Sequence, residues 1–107
     1  MTDKDKLVSD AFRTFFQESP KHAQAWMSAV SALGGASALD AKTHVLAYVA
    51  VLAALRLESG LPFHVAHAKE AGATRDEVIS AVLVGLPAAG HVVTQALPAA
   101  IRAYDES

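Results

Sequence analysis

At 107 residues, with 52% hydrophobic and 19% charged side chains, the chain has the size and composition of one folded domain. A formal charge of −2, with lysines and arginines scattered singly, gives no electrostatic footprint for nucleic acid or an anionic membrane. The absence of cysteine excludes disulfides, thiolate metal sites and every redox mechanism that runs on the chain's own thiols.

The first predicted element is a helix over Lys4–Gln17, whose Leu7, Val8, Ala11, Phe12, Phe15 and Phe16 recur with helical spacing. Ser19 and Pro20 supply an N-cap and a first-turn proline for a second helix, with an apolar stripe of Ala23, Trp26, Met27, Val30 and Leu33. Gly34 and Gly35 are expected to close it. Both helices are read as structural, packing over a more hydrophobic centre.

That centre is the third element. Asp40 is placed to cap it, and from Val45 to Leu55 every residue is apolar, so the helix is expected to be buried on most sides. Five alanines between Ala41 and Ala54 favour helix over a buried strand. Gly60 is expected to stop this central helix, which would span about residues 41–59, and Pro62 to open a short one over Phe63–Ala71. Thr74 and Glu77 form a capping box for the next helix, which should bury Val78, Ile79, Val82 and Leu83 before the Gly85-Leu86-Pro87 break. A last helix, about Ala88–Tyr104, should be kinked at Pro98. The expectation is one all-α domain of about six helices forming a compact bundle.

Val45–Leu55 is shorter than the roughly 18–20 residues of a membrane-spanning helix. The charged start MTDKDK leads into no signal-type apolar segment, so a cytoplasmic address without a membrane partner is expected.

Arg56, Glu58, His64 and His67 fall within twelve residues. Glu58 and His64 stand on either side of the Gly60 turn and could meet as a carboxylate–imidazole acid–base pair. His67 shares the helical face of His64, and Arg56 could hold an anionic substrate group. The plain alternatives are that Arg56 and Glu58 are solvated and that the histidines are structural or surface residues. His64, His67, Glu58 and His91 could in principle ligate a metal, but His-Val-Ala-His lacks the form of a dedicated zinc signature, and no metal or cofactor is expected. There is no phosphate-binding loop and no Gly-x-Ser-x-Gly elbow.

Leu39-Asp40-Ala41-Lys42-Thr43, the apolar helix, His64, and Glu70-Ala71-Gly72-Ala73-Thr74-Arg75-Asp76-Glu77-Val78 together resemble the carboxymuconolactone decarboxylase family, which includes the alkylhydroperoxidase D branch. The resemblance covers about residues 39–104 and implies an all-helical domain that assembles into trimers or hexamers. The peroxidase branch uses a Glu, a Cys-x-x-Cys pair and a His, which fall here on Val45, Leu57, Gly60 and His64. Only the histidine remains, and disulfide exchange needs two thiols.

The decarboxylase branch lacks that pair and is similar at Ala50–Leu55, Glu58, His64 and Gly85-Leu86-Pro87-Ala88. It implies cofactor-independent decarboxylation of a carboxylated lactone. His64 would be the proton donor or acceptor, Glu58 its partner, and Arg56, His67 and His91 substrate contacts. The alternative is a non-catalytic oligomeric module that binds a small molecule.

Overall fold

Every α-helix of this chain begins where a short polar side chain or a proline stands ready to begin it. The computed structural model describes residues 5–107. In order, the α-helices are α1 (Asp10–Glu18), α2 (Pro20–Ala36), α3 (Ala41–Ala54), α4 (Leu61–Glu70), α5 (Arg75–Leu83), the single-turn α6 (Leu86–Ala89) and α7 (Leu97–Glu106). Ser9, Asp40 and Thr74 accept bonds from the first-turn amides of α1, α3 and α5, while α2, α4, α6 and α7 carry a proline in the first turn. There are no strands among the described residues, so the all-α expectation of about six helices holds.

Several boundaries differ from expectation, each for a local reason. Lys4 lies outside the described residues; Asp5–Leu7 form a 3-10 turn and α1 starts only at Asp10, because Ser9 caps there. Gly34 and Gly35 do not close α2, which continues through them to Ala36. Ser19 stands at the N-cap position of α2, but its hydroxyl pairs with the His22 ring rather than with a backbone amide. Pro98 does not kink the last helix, since it sits in the first turn of α7, where a missing N–H costs nothing. The break lies instead at Gly90, whose φ of 79° ends α6 and admits the 3-10 segment Gly90–Ala96.

The central helix also stops early. α3 ends at Ala54 because Arg56, not Gly60, takes the left-handed conformation, with φ 60°. The Leu57 amide then bonds the Leu52 carbonyl at 2.9 Å and the Arg56 amide bonds Ala53 at 3.2 Å, the paired bonds of a Schellman cap. α4 ends in the same way at Gly72, φ 96°, with Ala73 bonded to Ala68 at 2.9 Å and Gly72 to Lys69 at 3.0 Å.

The core is built from α3, α4, α5, the 3-10 segment and α7, with Leu61, Val49, Val65, Val78, Val82 and Val93 the largest fully buried side chains. Ile79 and Leu83 of α5 are only half-buried, and Leu83 packs against the edge of the core. Taken as one stretch, Arg75–Glu106 is long and apolar enough to cross a membrane. Here it is folded back on itself at Gly85 and Gly90, so that Val78, Val82, Val93 and Ala100 reach one core.

The N-terminal hairpin departs most from expectation. α1 and α2 pack on each other, but no residue of either belongs to the core cluster, and α2 buries only Ala23. α3 likewise keeps an uncovered side, carrying Tyr48, Val51 and Leu55.

Candidate functional site

The residues that carry the family pattern are first of all structural staples. The Asp40 carboxylate accepts the Thr43 amide at 2.8 Å, which holds its pKa below the usual carboxylate range. Thr74 and Glu77 close a complete capping box, and Glu77 also pairs with the Lys42 ammonium at 2.9 Å. Its pKa is lowered, first by the Thr74 amide and then by Lys42. That pair ties the start of α3 to the start of α5. Arg75 grips Asp105 of α7 through both carboxylate oxygens, at 2.9 and 3.3 Å, raising the arginine's pKa and lowering the aspartate's.

With those ends fixed, α4 presents its histidines in a defined way. Leu61, Val65 and Ala68 lie on the buried side, so His64 and His67 fall on the flank. His64 is half-buried and His67 exposed. The His64 ring lies 4.5 Å, centroid to centroid, from the Tyr48 ring of α3, tilted by 46°. The Phe63 ring stands 5.3 Å from it, nearly perpendicular at 77°. Gly60 is close by: a Cβ added there would lie 4.0 Å from the His64 ring carbon Cδ2. The position matching the second peroxidatic cysteine thus adjoins the histidine, but carries no side chain. Val45, at the position of the peroxidase branch's Glu, is buried in the core.

The other predicted residues are arranged more loosely. Glu58 is half-buried in the 3-10 turn Glu58–Gly60. Arg56 is exposed and reaches across to the 3-10 segment 90–96, where its Nη2 donates to the Gln95 Oε1 at 2.6 Å. His91 is exposed on that same segment, its carbonyl accepting from the Thr94 hydroxyl at 2.7 Å. Among the described residues no group of three or more His, Asp or Glu is gathered for a metal.

Two contributors were missed in the sequence, Tyr48 and Gln95. Tyr48 carries the only polar side-chain atom in the run Val45–Leu55, a signal that was present but hidden by the apolarity around it. Gln95 had no signal beyond being polar.

Two surface clefts lie away from His64. One, of about 800 Å³, opens along α1 and α2 between Phe16, Pro20 and Met27. The other, of about 530 Å³, runs between α4 and α7 past Pro62, Ala66 and Arg102. Lys69 borders the second, where its ammonium is held by the Tyr104 and Ser107 carbonyls at 3.0 Å each.

The model of the carboxymuconolactone decarboxylase family matches residues 20–102. The chain belongs to that family. The match begins at Pro20, so α2 is part of the family domain and not an appendage before Leu39. No curated protein and no solved structure matches the chain significantly. Within the carboxymuconolactone decarboxylase family it is a member without cysteine, which leaves it no thiol of its own for disulfide exchange.

Proposed function

We propose that this carboxymuconolactone decarboxylase family member is a cofactor-independent acid–base lyase or isomerase, acting on a small organic acid or lactone, with His64 moving the proton. The observation that carries the reading is the tilted His64–Tyr48 ring contact, 4.5 Å between centroids. An imidazole in contact with two aromatic rings has a restricted orientation, which suits it to move a proton in one direction. Tyr48 acts as a positioning residue for the ring.

Substrate charge would be met by Arg56. Lys42 and Lys69 are already engaged, by a carboxylate and by helix-end carbonyls, whereas Arg56 bonds the neutral Gln95 and keeps its full charge for an anion. In a decarboxylation, the carbon–carboxylate bond breaks as carbon dioxide leaves, its electron pair stays on carbon, and His64 delivers a proton there. Glu58, on the far side of the Gly60 turn, would orient His64.

The test is turnover of 4-carboxymuconolactone, followed as carbon dioxide release and as solvent deuterium incorporated into product. His64→Gln should abolish both while helix content and melting temperature stay unchanged; turnover equal to the parent would remove His64 from the mechanism. A second reading is a non-catalytic module that binds a small organic acid, and the placement of both surface clefts away from His64 favours it. In that case a lactone would bind with no release of carbon dioxide by any form of the protein.

A further inference from the structure

The cleft between α4 and α7 takes no part in the His64 site. Its α4 wall is the stripe Pro62, Ala66 and Lys69, and His64 stands on the opposite flank, two residues from both Pro62 and Ala66. Its α7 wall is Ala99, Arg102, Ala103 and Glu106, again one helical face. Lys69, in the last turn of α4, donates to the Tyr104 and Ser107 carbonyls at 3.0 Å each, so the C-terminal ends of the two helices meet. The cleft therefore has two unlike ends. Leu7, Pro62 and Ala99 make the N-terminal end apolar, while Lys69, Glu70 and Glu106 make the other end polar. The buried Ala66 and Ala103 form a floor between them.

The charged side chains along this cleft are not equally engaged. Lys69 is held by the two carbonyls and lies 4.6 Å over the Tyr104 ring. Glu70 has an interaction of its own. Among the described residues, the side chains of Arg102 and Glu106 make no hydrogen bond or ion pair, with each other or with any other group. They stand one turn apart on the same face, with Arg preceding Glu, the weaker order for a helical pair. At about 530 Å³ the cleft is of small-molecule size, and such sites join an apolar lining to a few polar groups.

We propose that the α4–α7 cleft binds a small zwitterion with an apolar body, a free α-amino acid with an aliphatic side chain. Its carboxylate would take the forked guanidinium of Arg102, its ammonium the Glu106 carboxylate, and its side chain the alanine floor toward Leu7 and Pro62. A simple carboxylate answers Arg102 but sets Glu106 against an apolar body. A simple amine answers Glu106 and does the same to Arg102. Only a ligand carrying both charges close together satisfies the two side chains at once. This second site stands apart from the proton transfer proposed for His64 and requires no catalysis.

Titration of the full chain with L-leucine, followed in amide proton–nitrogen spectra, tests it. Saturable shifts should centre on Ala66, Arg102 and Ala103. N-acetyl-L-leucine, without the ammonium, and L-leucinamide, without the carboxylate, should each bind roughly tenfold more weakly, the loss of one charge-assisted hydrogen bond. Arg102→Gln should erase the difference between leucine and leucinamide, and Glu106→Gln that between leucine and N-acetyl-leucine. Both side chains are exposed, so neither change should disturb the fold, and a merely structural role would not produce this pattern. No saturable shift up to the solubility of leucine, or shifts spread evenly over the surface, would overturn the proposal. Equal affinity for N-acetyl-leucine would overturn it in favour of a plain organic-acid site. His64→Gln should bind leucine as the parent does, so this site and the proposed lyase fail separately.

Discussion

The hairpin of α1 and α2 and the bundle from α3 to α7 are both rich in apolar residues, yet they use them in opposite ways. Among the described residues, all the buried hydrophobic ones except Ala23 lie between Val45 and Ala103, and all of these but Ala66 are gathered into one core. The hairpin holds three phenylalanines and the tryptophan, and leaves Phe12, Phe16, Trp26 and Leu33 exposed. The phenylalanines satisfy one another, with Phe12 and Phe16 centroids 5.0 Å apart, rather than the bundle. Helical periodicity reports that a face is apolar; it does not report what lies against it.

The largest effect that should separate the two regions is a cavity. Leu61→Ala, at a fully buried position on α4, should lower unfolding free energy by about 3 kcal/mol in urea titrations. Leu33→Ala, on the exposed stripe of α2, should change it by less than about 0.5 kcal/mol when measured on dilute monomer. Equal losses at the two sites would mean that the hairpin folds as part of the bundle.

Helix caps give the next contrast. Thr74→Ala removes a bond made to the Glu77 amide at 3.1 Å and should cost about 1 kcal/mol. Ser19→Ala should cost only a few tenths of a kcal/mol, since that hydroxyl pairs with His22 and leaves the backbone uncapped. Both can be read as shifts in the urea midpoint with an unchanged slope.

Acid should act on the bundle and spare the hairpin. Asp40, Glu77 and Asp105 all have lowered pKa values, held by the Thr43 amide, the Thr74 amide and the Arg75 guanidinium respectively. A carboxylate whose folded pKa lies below its unfolded value contributes stability that is present above the unfolded pKa. That contribution is lost as pH falls through the folded one. The melting temperature should therefore decline as pH drops below 4.5, the ordinary value for Glu77, and Glu77→Gln should make that decline shallower. An unchanged slope in Glu77→Gln would show that the Lys42 and Thr74 contacts do not persist in solution.

These contrasts bear on how much of the molecule was legible in its sequence. Asp40, Thr74 and Pro62 marked helix ends by chemistry that acts over a few residues, and the structure uses all three. His64 could be located by its place ahead of Gly72-Ala73-Thr74, but its neighbour could not. Tyr48 meets it from another helix, and sequence spacing says nothing of such pairs. The hairpin's separation from the core was equally invisible, because its stripes have the same spacing as buried ones. The early stop of α3 was missed because Arg56 occupies a position where the rule looks for glycine.

That arginine provides the smallest and most discriminating effect. Two helices end in the same left-handed cap, one at Gly72 and one at Arg56. A non-glycine residue in this conformation costs about 1 kcal/mol, and an exposed hydrogen bond such as Arg56 to Gln95 returns about the same. Arg56→Gly should thus leave stability almost unchanged, whereas Gly72→Ala should lose about 1 kcal/mol, because alanine brings the strain and no bond. Gln95→Ala isolates the compensation: it keeps the strain, removes the bond and should destabilise slightly, and in the Arg56→Gly background it should do nothing. If Arg56 serves an anionic substrate, Arg56→Gly should raise the KM for the carboxylated lactone while the urea midpoint stays put. A change in stability with turnover intact would instead make Arg56 a structural link between α3 and the 3-10 segment, and the strain at φ 60° would have no functional account.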